Sequence, residues 1–120
     1  MKITSNTKYV VDTNILIYGY DAKSPYHEKA RNLLEDLIIQ NIDTYVAVQN
    51  IVEFCNVLTK AYKLSSSSIT RYAQEILLDF KIITPKTTTT NIFLNLLQKA
   101  TKGKMYVFDL FLVATMFDNG

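Results

Sequence analysis

The chain has one cysteine, one histidine and three glycines, and no apolar run of membrane-spanning length; each scarcity removes a class of function. Cys55 alone cannot close an intramolecular disulfide, and its place on the apolar face of a helical pattern reads as a small core residue. His27 alone gives no support to a zinc site. Gly19, Gly103 and Gly120 are too scattered to form a Gly-rich phosphate loop. A bilayer span requires about 20 apolar residues, and none is offered. Met1-Lys2-Ile3-Thr4-Ser5-Asn6 also lacks the apolar segment of a secretion signal. These absences lead to the expectation of a cytoplasmic protein without membrane contact.

What is present suits one folded domain over residues 1–120, with 48% hydrophobic and 20% charged residues. The net charge of +2 conceals an asymmetry: the chain before Lys60 sums to −2 and the remainder to +4. The second half is compatible with a polyanionic partner, although its lysines are scattered as on an ordinary solvated surface.

The pattern predicts a strand from about Lys8 to Val11 and a short helix to about Tyr20. A second helix opens at Ser24-Pro25, with Ala30, Leu33, Leu34, Leu37 and Ile38 at helical spacing. Asn41-Ile42-Asp43 reads as a turn before the β-rich Thr44-Tyr45-Val46, and a third helix follows from about Val48 to Tyr62. On that helix Val48, Ile51, Cys55 and Leu58 share one face, with Glu53 opposite. Ser65 to Ser68 cap a fourth helix through Ile69, Tyr72, Ala73, Ile76, Leu77 and Phe80. Lys81-Ile82-Ile83-Thr84-Pro85 is a further strand, and the threonine run 87–90 leads into a helix carrying Ile92, Phe93, Leu96 and Leu97. Lys102-Gly103-Lys104 breaks the pattern before a last helix that starts near Asp109 and is apolar on nearly every side, hence expected to be buried. Strands alternating with helices imply an α/β domain with a mainly parallel sheet.

Three carboxylates stand in apolar frames: Asp12 after Tyr9-Val10-Val11, Glu53 in Gln49-Asn50-Ile51-Val52-Glu53-Phe54, and Asp109 in Tyr106-Val107-Phe108-Asp109-Leu110-Phe111. Asp12 falls at the carboxyl end of a strand, where ligands sit in open α/β sheets. Each acid alone has an ordinary explanation: a helix cap for Asp12 and Asp109, a solvated helix face for Glu53. Together they suggest a divalent-metal site, because hard cations such as Mg²⁺ and Mn²⁺ take oxygen ligands and keep several waters.

In their order along the chain these motifs resemble the PIN-domain family of metal-dependent ribonucleases, which includes the VapC-type toxins of toxin–antitoxin pairs. Val10-Val11-Asp12-Thr13-Asn14-Ile15-Leu16 is similar to the family's opening strand with its first acid. Val48-Gln49-Asn50-Ile51-Val52-Glu53-Phe54 is similar to the helix with the second, and Val107-Phe108-Asp109-Leu110-Phe111-Leu112-Val113-Ala114 to the stretch with the third. The resemblance implies a three-layer α/β/α fold with a mainly parallel sheet flanked by helices. It also implies Mg²⁺ or Mn²⁺ on Asp12, Glu53 and Asp109, with Thr13 and Asn14 ordering the site. The implied reaction is endonucleolytic cleavage of RNA, with a small antitoxin protein as partner. Family members usually continue into a further strand and a fourth acidic or polar position, which this sequence does not show after Asp118-Asn119-Gly120. An unpaired sheet edge would then favour a homodimer. An incomplete ligand set would leave the alternative of a degraded PIN domain that binds RNA or protein without cutting.

Overall fold

The computed structural model describes residues 8–100 and 107–120. The break expected at Lys102-Gly103-Lys104 and the leader-free start expected at Met1 to Asn6 lie outside these residues. The elements are β1 (Tyr9–Val10), α1 (Thr13–Tyr20), α2 (His27–Ile39), β2 (Thr44–Ala47), α3 (Val48–Lys60), α4 (Ser66–Asp79), β3 (Lys81–Ile83), α5 (Thr89–Lys99) and α6 (Val107–Asp118). The three strands lie in the order β1-β2-β3, all parallel, with Val10 opposite Tyr45 and Val46 opposite Ile82.

Alternation along the strands divides the sheet into two faces. Tyr9, Val11, Val46 and Ile82 point to one side, where Leu16, Leu37, Phe54, Leu58, Ile69 and Ile76 from α1 to α4 close a continuous apolar core. Val10, Tyr45 and Ile83 point to the other, where they line a cavity of about 410 Å³ together with Val113, Met116 and Phe117 of α6. Helices α5 and α6 pack chiefly on each other, through contacts such as Phe93 against Phe111. Helices on both sides of a parallel sheet give the expected α/β/α layering.

Local signals set several boundaries as expected. Ser65 Oγ accepts from the backbone N–H of Ser68 to cap α4. Asn41, at φ 51°, ends α2 in a left-handed residue, with Ile42 N–H on the Leu37 carbonyl and Asn41 N–H on that of Ile38. That reversal turns the chain directly into β2.

Two expectations are corrected. On α3 the deepest stripe is Asn50, Phe54 and Leu58, rotated from the one expected, and Ile51 and Cys55 are only partly buried at its margin. The polar Asn50 belongs to the interior because it has a specific partner there, described below. Helix α6 is not buried all round: only Ala114 and Thr115 are enclosed, whereas Phe108 and Phe117 are exposed. One partner helix and one partly separated sheet face cannot cover an apolar helix on every side.

Candidate functional site

The carboxyl ends of β1 and β2 deliver the candidate residues to one edge of the sheet. Just beyond β1, Asp12 has extended backbone and serves as the N-cap of α1; its Oδ1 accepts from the Thr13 N–H at 2.8 Å. Both ordinary capping and site chemistry are therefore open to this one side chain, whose exposed position leaves it accessible. Thr13, itself buried, turns its hydroxyl away from solvent toward α3.

Strand β2 runs without a loop into α3, so Gln49 and Asn50 fall in the first turn of that helix and Glu53 one turn later. Thr13 Oγ1 donates to Glu53 Oε2 at 3.2 Å and accepts from Asn50 Nδ2 at 2.9 Å. The single hydroxyl proton is used on the carboxylate, so the amide must be the donor in the second bond, and this fixes the orientation of the Asn50 side chain. Asn50 is 1% exposed; its Nδ2 is bonded to Thr13, while its Oδ1 is buried without a donor among the described residues. A buried chain Asn50 to Thr13 to Glu53 thus ties α3 to the start of α1, beside Asp12.

Gln49 makes the second tie. Its Nε2 donates to Glu53 Oε1 at 3.0 Å and to the backbone carbonyl of Phe108 at 2.9 Å. Two acceptors around one atom require that atom to be the nitrogen. The same amide therefore links the second acid to the first turn of α6, where Asp109 follows Phe108 and is exposed. Asn14, in the first turn of α1, is exposed and makes no side-chain hydrogen bond among the described residues.

Asp12 and Glu53 are thus joined through Thr13, and Asp109 is connected through Gln49 and a backbone carbonyl. Among the described residues no three acidic, histidine or cysteine side chains close to a spacing that would hold one metal ion. The donor chemistry nevertheless fits a hard cation. All candidate ligands are oxygens, and the carboxylates lie on the exposed side of a buried polar support that would orient them.

Gln49 and Asn50 lie within the second motif but are not among its candidate ligands. The spacing of Gln49 and Glu53, four residues apart on one helix face, was the available signal for the first. For Asn50 it was a polar residue in phase with Phe54 and Leu58. At the other end of α6, Asp118 Oδ2 accepts from Thr88 Oγ1 at 2.5 Å and Thr89 Oγ1 at 2.6 Å, pinning the end of α6 to the start of α5. Those hydroxyls hold its carboxyl below the usual range. Tyr18 packs against Tyr26, with ring centroids 5.0 Å apart, as a packing residue should.

Comparison with known proteins supplies a family. A family model described as "PIN domain" matches residues 9–120. Among solved structures, the VapC20 toxin of Mycobacterium tuberculosis, described as cleaving the sarcin-ricin loop, is similar in fold, with a TM-score of 0.71 at 14% identity. The match covers 95% of this chain and 84% of that one. No curated protein sequence matches this chain.

Proposed function

We propose, because this chain belongs to the PIN-domain family, that it is a metal-dependent endoribonuclease hydrolysing RNA phosphodiester bonds, acting in the cytoplasm as the toxin of a toxin–antitoxin pair. The observation that carries this reading is the Thr13 hydroxyl, which joins Glu53 to the start of α1 at Asp12 over a buried amide. Asp12, Glu53 and Asp109 would hold Mg²⁺ or Mn²⁺. When bound, the cation supplies Lewis acidity that ionises water near neutral pH and offsets charge on the phosphate.

The chain's own residues do the positioning. Thr13 and Gln49 hold the two oxygens of Glu53 in place, so that carboxylate loses little freedom when it engages a ligand. Asp12 stays at the strand end because its Oδ1 is occupied by the Thr13 N–H. A small antitoxin covering the acidic edge is the proposed inhibitor. A homodimer is proposed as well, supported by the position of β1 at one edge of the described sheet; a monomeric mass in solution at high concentration would remove it.

One observation favours a second reading, a PIN domain that binds RNA or protein without cutting: the three acids do not close into a metal-holding group among the described residues. Incubating a labelled single-stranded RNA with the pure protein in EDTA, Mg²⁺ or Mn²⁺, beside Asp12→Asn, separates the two. Metal-dependent cutting that disappears in the variant establishes the nuclease. Absence of cutting in every metal, by a folded protein that still binds the RNA, establishes the second reading.

A further inference from the structure

One side-chain amide touches both contributors to the carboxylate edge. Gln49 Nε2 donates to Glu53 Oε1 at 3.0 Å and, at 2.9 Å, to the carbonyl of Phe108, the residue before Asp109. Among the described residues this is the one side-chain hydrogen bond to the first turn of α6. Other polar ties of that helix gather at its far end, where Asp118 meets Thr88 and Thr89 and Asn119 meets the Thr84 carbonyl. That end lies about 14 Å along the axis from Asp109, at the usual rise of about 1.5 Å per residue. A latch so distant leaves the position of the first turn to its packing on α5 and to Gln49.

The orientation of the amide shows what it is for. Both of its protons are used, and its Oε1 is buried without a donor among the described residues, a state that native structures rarely keep without a reason. Turning the group over would set an oxygen against two acceptors, so the orphaned atom is the consequence of the two donations. A side chain that merely filled the space between α3 and α6 would need no polar atoms. Being neutral, an amide also orders Glu53 without setting a positive charge beside a cation site, as lysine would.

We propose that Gln49 is a positioning residue that sets Asp109 against Glu53, so that the acid from α6 joins the two from the packed half on one cation; the proposal rests on the metal-dependent reading given above. One proton holds Glu53. The other carries the coupling, because it fixes the backbone immediately before Asp109 and makes the ordering of Glu53 and the placement of Asp109 one event. Donors that hold metal-binding side chains in this way change metal affinity by about 10–100-fold.

Gln49→Met keeps the length of the side chain and removes both donations; circular dichroism checks its fold. In EDTA, amide hydrogen exchange in the first turns of α6 is expected to quicken, with α1 to α4 unchanged. By titration calorimetry its Mn²⁺ affinity should fall about tenfold. Made in Asp109→Asn, the same change should cost about threefold at most, because no third carboxylate is left to place. Exchange that does not quicken, or Mn²⁺ affinity that does not fall, overturns the proposal. So does an equal tenfold loss in the Asp109→Asn background, which would confine the action of Gln49 to Glu53. A wild type that binds no Mn²⁺, or an Asp109→Asn variant that binds it as the wild type does, instead removes the three-acid reading itself, and the proposal with it.

Discussion

The two faces of the sheet are built differently. On one, α1 to α4 close a continuous core in which Val46 and Leu58 are fully buried. On the other, α6 stands across a cavity of about 410 Å³ and packs chiefly on α5. Polar contacts add to that packing, among them Gln49 to the Phe108 carbonyl, Lys86 Nζ to the Asp118 carbonyl, Asn119 Nδ2 to the Thr84 carbonyl and the Thr88 and Thr89 hydroxyls to Asp118. The difference bears on the site, because Asp12 and Glu53 come from the packed half and Asp109 from the other. Two corners are therefore held by a core that does not deform easily. The third comes from α6, which rests on α5 and is tied to the packed half through the Gln49 amide, a hydrogen bond worth about 1 kcal/mol net.

The contrast is most directly broken by truncating one side chain in each half. Leu58→Ala should cost about 2–5 kcal/mol, since it empties a fully enclosed site. Phe117→Ala, at an exposed ring, should stay within about 0.5 kcal/mol. Urea denaturation of both variants decides, and equal losses would erase the distinction. Asn50→Leu comes next: it removes the donor that holds the Thr13 hydroxyl and leaves that oxygen without its buried partner, at a cost of about 1–3 kcal/mol. Calorimetry should show the loss, and Glu53-dependent metal binding should weaken with it.

The smallest effect is expected at Asp118. Its carboxyl is held below the ordinary range first by Thr88 and then by Thr89, so its contribution is present above the unfolded-state value and disappears as pH falls through the lowered folded value. The difference in melting temperature between wild type and Asp118→Ala should therefore be steady near neutrality and shrink below about pH 4, the ordinary carboxylate range. A difference unchanged at pH 2 would show that the Asp118 latch contributes nothing through its charge.

The packed half was also the more legible. Asp12 at a strand end, the Asn41 turn and the Ser65 cap are local signals, and the structure follows them. What the sequence did not disclose depends on partners far along the chain. Asn50 is a polar residue in an apolar stripe until Thr13, 37 positions away, supplies its acceptor. Gln49 meets Phe108 across 59 positions, and no periodicity announces such a bond. Helix α6 misled for the opposite reason, since an apolar sequence reports what a helix can bury and not how many neighbours arrive to bury it. The proposed assembly of the three acids lies at the same boundary: their frames were readable, their mutual approach was not.

That approach can be measured as Mn²⁺ affinity by titration calorimetry on wild type, Asp12→Asn and Asp109→Asn. If the packed and the loosely held halves share one ion, both variants lose affinity, each by tenfold or more, and Mn²⁺ raises the melting temperature of the wild type alone. Binding that is unchanged in Asp109→Asn, or absent from the wild type, would contradict a single site spanning the two halves.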